Sequence, residues 1–139
     1  TIGIHPHCKA SYNLYVSGWK KPFGHGINSV NEMSEALSST EFMPCPNGFF
    51  HPETYRLYEA LQCGCIPIVE NAYKYYDRLF PNNPFIKVGK WADAKAIIKN
   101  WNESQIKAKQ EECNSWWSSY KIELQEMVKN KITQWTKTN

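Results

Sequence analysis

The run at residues 41–70, EFMPCPNGFFHPETYRLYEALQCGCIPIVE, constrains the fold more than any other stretch of this chain. It opens with a short apolar segment, EFMPCP, suited to a buried strand and closed by an Asn-Gly pair. Pro52 follows, and proline is favoured at the first helical position because its missing N–H would be unpaired there anyway. Leu57, Ala60, Leu61 and Gly64 then recur at helical spacing on one face. CIPIVE reads as the next strand, with Pro67 arguing for a strand end or a bulge rather than mid-ladder. A strand, a helix and a second strand in this order form a crossover that joins parallel neighbours.

The flanking sequence keeps the same rhythm. NLYVSG (13–18) reads as a strand ending in a glycine turn, and TIGIHPHCK can hold another, limited by Pro6. WKKPFGHG is loop by its glycine and proline content. A helix is expected from Asn28 or Ser29, where Ser29-x-x-Glu32 forms a capping box and Val30, Met33 and Leu37 supply an apolar face. After CIPIVE come a short helix over 72–79, a loop FPNNP and a strand FIKVG. Ala94, Ile97, Ile98 and Trp101 stripe one more helix. Asn102 with Gln105 caps a last, long one, where Ile106, Cys113, Trp117, Tyr120, Leu124, Met127 and Val128 share a face. The expected class is α/β: a Rossmann-like parallel sheet with helices on both faces, in a single domain spanning residues 1–139.

Charge and cysteine usage narrow the function classes. The net charge is +3 and the basic residues are dispersed, so no nucleic-acid footprint stands out. No apolar run approaches the roughly 18 residues that a membrane span requires, and no signal peptide is visible. Because the chain begins at Thr1, it is expected to be a fragment of a larger protein. Five cysteines, Cys8, Cys45, Cys63, Cys65 and Cys113, lack the spacing of a disulfide framework and are read as buried free thiols rather than bridges or metal ligands. The one sequon, Asn102-Glu103-Ser104, is of a kind that arises often by chance.

In open parallel sheets, ligands sit beyond the carboxyl ends of the strands, where loops lead into helix starts. Those starts present unpaired N–H groups and the positive end of the helix dipole, which suits phosphate. Gly48 would let the backbone approach an anion closely. Arg56 and Glu59 lie about 60° apart on the following helix, at about 100° per residue. Arg56 can give charged hydrogen bonds to a diphosphate, and Glu59 can accept from a ribose diol. The same spacing also suits a plain surface ion pair, and the glycine turn a plain connection.

CPNGFFHPETYRLYEALQCGCIPIVE resembles the donor-binding signature of exostosin-like glycosyltransferases: a Cys-Pro-x-Gly turn, a helix with an Arg and then Glu-Ala-Leu, and a Gly-Cys-Ile-Pro step. VNEMSEALSSTEFMPCP is similar to that family's helix and strand leading into the turn. The resemblance covers residues 30–70, and the remainder agrees in its α/β rhythm. It implies the carboxy-terminal, nucleotide-sugar-binding lobe of a GT-B enzyme. Such a lobe would use a nucleoside diphosphate sugar, expected to be UDP-linked, with no cofactor and no metal. The acceptor would be a hydroxyl of a glycan or glycoprotein, and the group transferred a hexosyl or pentosyl unit. By the same resemblance, Arg56 matches the basic residue on the pyrophosphate and Glu59 the glutamate on the ribose, while Thr54 and the Gly48 backbone would add phosphate or sugar contacts. Related retaining enzymes carry an acidic residue eight positions before that glutamate, where this chain has His51; the departure counts against a retaining outcome. His51 can touch the donor or cap the helix.

Lys20 and Lys21 can reach the phosphates from the loop after NLYVSG, or can simply be solvated, and Trp19 can stack on a base or sugar or lie partly buried. His5, His7 and His25 lack metal-ligand spacing, and Trp116 and Trp117 are read as packing residues rather than a sugar platform. No residue stands out as the catalytic base; the resemblance implies that it comes from the other lobe, so either that lobe is missing here or the base is a residue the sequence does not mark. Two other readings remain at this point: an α1,3-fucosyltransferase-like enzyme, whose donor helix has a similar layout, and a non-catalytic nucleotide- or carbohydrate-binding module. The expected location is the Golgi lumen for a secretory-pathway protein and the cytoplasm otherwise.

Overall fold

The computed structural model describes residues 2–7, 11–16 and 30–138. Strands β1 (Ile2–His7) and β2 (Ser11–Val16) precede helix α1 (Val30–Ser38) and β3 (Phe42–Cys45). Helix α2 (Tyr55–Gln62) leads to β4 (Ile66–Glu70), a 3-10 turn (Ala72–Lys74), α3 (Tyr75–Leu79) and β5 (Ile86–Val88). Helices α4 (Trp91–Ile98) and α5 (Glu103–Thr138) complete the chain. One sheet holds the strands in the order β2-β1-β3-β4-β5.

β3, β4 and β5 are parallel, in register from Phe42↔Ile66 to Cys45↔Val69 and from Ile68↔Ile86 to Glu70↔Val88. This is the α/β arrangement that alternating strands and helices imply, a parallel sheet flanked by helices. β1 departs from it, pairing antiparallel with both β2 and β3. Residues 8–10 alone join β1 to β2, too few for the crossover that parallel pairing needs.

Pro67 sits fully buried inside β4 without breaking a ladder. Ile66 donates its N–H to the Glu41 carbonyl at 2.7 Å, on the β3 side. Alternation along the strand therefore turns the Pro67 nitrogen toward β5, where pairing starts only at Ile68. The core is built from Phe42 and Met43 of β3, Leu57, Ala60 and Leu61 of α2, Ile66, Ile68 and Val69 of β4, and Tyr76 and Phe80. An aromatic cluster fastens α5 to it. Trp116 meets Phe80 and Phe85 edge-on at 6.0 and 5.1 Å and stacks on Tyr120 at 5.0 Å. Trp116 and Trp117 are packing residues, as their place in the helix pattern suggests.

Four local expectations change. Helix α2 starts at Tyr55, with Thr54 as N-cap, not at Pro52. The Pro52 carbonyl is occupied elsewhere, accepting from the Tyr76 hydroxyl at 2.8 Å. Gly64 does not extend the apolar face of α2; it ends the helix. At φ +76° it lets Cys65 N–H reach Ala60 O at 2.9 Å and Gly64 N–H reach Leu61 O at 3.4 Å, a Schellman motif. The single helix expected over 72–79 is broken by left-handed backbone at Tyr73 and Lys74. Ile97 is exposed, while Ala94 and Ile98 carry the burial of α4.

On α5, Asn102 and Gln105 exchange reciprocal side-chain to backbone bonds, both 2.9 Å, as the capping box requires. The stripe on this helix is only half used. Cys113 is buried and Trp117 and Tyr120 are half-buried, but Leu124, Met127 and Val128 stand in solvent. Cys45, Cys63, Cys65 and Cys113 are free thiols, all buried except the half-buried Cys63; Cys8 lies outside the described residues. No helix among the described residues is long and apolar enough to cross a membrane.

Candidate functional site

β3 ends at Cys45 beside Val69 of β4, so the loops that follow these two strands, 46–54 and 71–74, leave the same edge of the sheet side by side. The first loop folds back on itself. Gly48 N–H donates to His51 O at 3.0 Å, and the Thr54 hydroxyl donates to Pro46 O at 3.3 Å. A Cβ at Gly48 would lie 2.7 Å from His51 O, so only glycine permits this closure. The close approach at Gly48 is thus to the chain itself, and its N–H serves the turn. Phe49 and Phe50, at the tip, are 104% and 95% exposed, and His51 is exposed beside them.

Because the Thr54 hydroxyl turns to Pro46, it makes no cap bond to the first turn of α2. That turn also lacks an acidic residue and instead carries Arg56, half-buried. A helix start normally recruits acids, and a cation there is disfavoured by the dipole unless an anion is near. Burial, first, and then Cys65 hold the Cys45 thiol well above its usual range; the Arg56 charge pulls it down and the Glu59 charge pushes it up. Both side chains therefore act at the carboxyl end of β3. Glu59 is exposed, one turn further along α2 beside the buried Leu57, Ala60 and Leu61.

The second loop is tied to the first. Tyr75 donates its phenol proton to the Glu53 carboxylate, and this bond holds the phenol up to about 12. Tyr76, fully buried, gives its hydroxyl to Pro52 O at 2.8 Å, with Asn47 Oδ1 at 3.4 Å as a second acceptor. Asn71 closes the other side, accepting from Tyr76 N–H at 2.9 Å and donating to Asp77 at 2.7 Å. Lys87 completes this tie with an ion pair to Asp77 at 2.5 Å, and Lys87 first, then Asn71, lowers the Asp77 carboxyl below its ordinary value.

Of the residues expected at the site, Gly48, His51, Thr54, Arg56 and Glu59 gather on this edge or on the first turns of α2, while Lys20, Lys21 and Trp19 lie outside the described residues. Sequence reasoning missed Glu53, Tyr75 and Tyr76 as the struts between the loops. It also missed Tyr73 and Lys74, whose left-handed backbone is signalled by no glycine or asparagine.

Three parallel strands flanked by helices define an α/β domain, and it is the family match, not the helix start, that relates it to glycosyltransferases. Residues 19–136 match the family described as RXYLT1 C-terminal domain, and the chain belongs to that family. The match extends well beyond residues 30–70, which carry the exostosin-like resemblance. No curated protein and no solved structure gives a match.

Proposed function

We propose that this domain is the nucleotide-sugar-binding lobe of a GT-B glycosyltransferase, holding a nucleoside diphosphate sugar, UDP-linked, at the carboxyl edge of β3 and β4. The observation that carries the reading is the first turn of α2, with Arg56 in place of an acid and no side-chain cap. An anion there would lie in the favourable field of both the helix dipole and the guanidinium charge. In this reading Arg56 and the helix start meet the charge that grows on the diphosphate as the anomeric bond breaks, with no metal ion assigned to it. Glu59 takes the ribose hydroxyls, and His51 and the Thr54 region border the sugar. The glycan or glycoprotein acceptor, and the base that deprotonates its hydroxyl, are assigned to a second lobe. The family's description as a C-terminal domain supports that division.

Isothermal titration with UDP, GDP and the matching nucleosides tests the assignment. Arg56→Ala is expected to weaken diphosphate binding by about tenfold or more and nucleoside binding far less, since a charge-assisted hydrogen bond contributes about 1.5–3 kcal/mol. Glu59→Gln is expected to weaken both ligands alike, because both carry the ribose. Affinities unchanged in both variants would reduce the two residues to a surface pair and overturn the site.

A further inference from the structure

Resting on the donor-site reading above, we propose that Tyr73 and Lys74 form its second wall: Lys74 as a cation for the diphosphate and Tyr73 as an aromatic platform for the nucleoside or sugar. Both residues are held in the left-handed region, Tyr73 at φ 54° and ψ 25°, Lys74 at φ 55° and ψ 34°. Neither has the side chain that tolerates this conformation, and two such residues in succession are costly unless the surroundings enforce them. The surroundings do. Asn71 N–H is anchored to Val88 O at 3.1 Å, Lys74 N–H to Asn71 O at 3.2 Å, and the next two residues are bonded to Glu53 and Pro52 of the neighbouring loop.

The side chains of Tyr73 and Lys74 take no part in the core. The turn contributes no buried residue, Tyr73 is 94% exposed and Lys74 is exposed. What it does is fix the backbone that carries an aromatic ring and an ammonium group at the end of β4, immediately before the residues bonded to the 52–53 segment, which leads into α2. Lys74 acts on Asp77 only as the last and weakest of its influences, behind Lys87 and Asn71, so its charge is not needed for that tie. A diphosphate brings more negative charge than one guanidinium answers, and an exposed tyrosine face suits stacking on a base or packing on a sugar ring. Strain of this kind concentrates where a ligand is clamped.

Glycine at either position removes the strain without adding bulk, so Tyr73→Gly and Lys74→Gly should unfold no more readily than the parent. With UDP, GDP and the nucleosides as probes, Lys74→Gly is expected to lose about tenfold or more in diphosphate affinity with little change for the nucleoside, and Lys74→Arg to retain most of it. Tyr73→Gly is expected to weaken diphosphate and nucleoside alike. If Arg56→Ala loses diphosphate binding while both glycine variants stay within about twofold of the parent, well under the loss of one charged hydrogen bond, the turn is not part of the site and this inference falls alone. If the parent binds neither UDP nor GDP, the donor-site reading falls and takes the inference with it.

Discussion

A Cβ on Gly48 would sit 2.7 Å from the His51 carbonyl oxygen, whereas one on Gly64 would meet nothing closer than the Asn114 amide at 3.7 Å. Gly64 is required by its φ of +76°, and Gly48, among the described residues, by lack of room. Substitution should separate the two causes. Gly64→Ala is expected to cost about 1–2 kcal/mol from left-handed backbone alone, and Gly64→Asn clearly less, since asparagine visits that region more readily. Gly48→Ala and Gly48→Asn should both cost about 1–3 kcal/mol, because the obstacle is backbone that cannot swing aside. Urea unfolding of the four variants checks this, and an asparagine rescue at Gly48 would contradict it. The sequence marks both positions as turns. It does not tell φ from clearance, because clearance depends on where residue 51 returns to.

The β3-α2-β4 unit is legible in the amino-acid sequence because its signals agree: an apolar run, a turn, a helical stripe and a second apolar run. Its boundaries are not. Pro52 looks like a helix start until the Tyr76 hydroxyl, 24 residues on, takes its carbonyl. The break at Tyr73 and Lys74 is likewise imposed by bonds to a neighbouring strand and loop. The junction of β3 with α5 shows the same long-range effect on a charge. Glu41, just before β3, is half-buried with Oε2 enclosed and unpartnered, and burial, then Glu103 of α5, raises its carboxyl above 4.5. A folded-state pKa above the unfolded one gives stability that is present below about pH 4.5 and lost as pH rises through the folded value. Glu41→Gln should therefore gain stability over the parent as pH goes from 4 to 7, read as the difference in urea midpoints. A gap that stays constant or reverses would show that the carboxylate is favourably held.

Across the whole molecule, the three parallel strands follow from the alternation of strands and helices, but the antiparallel β1-β2 hairpin follows only from the short link between them. The candidate site was partly legible for the same reason. Arg56 and Glu59 lie on a locally coded helix, whereas the struts Glu53, Tyr75 and Tyr76 acquire meaning only when two loops meet. Helix α5 marks the limit of reading burial from periodicity. Its stripe runs unchanged from Ile106 to Val128, yet whether a stripe is covered depends on how far the sheet extends beneath it.

α5, at 36 residues, is about 54 Å long at about 1.5 Å per residue, and beyond Lys121 every described side chain on it is exposed. Its two halves share one ladder but not one free energy of opening. Around Cys113, Trp116 and Tyr120, an amide can exchange its proton for deuterium only when the aromatic cluster with Phe80 comes apart. Past Lys121 the helix stands on its own propensity, which is marginal in water, and fraying there disturbs nothing else. Deuterium uptake should thus be slow up to Tyr120 and rise steeply toward Ile132, and limited proteolysis should trim the chain back toward Lys121 while leaving the sheet intact. Uniform protection along α5 would mean instead that Leu124, Val128 and Ile132 are covered in solution.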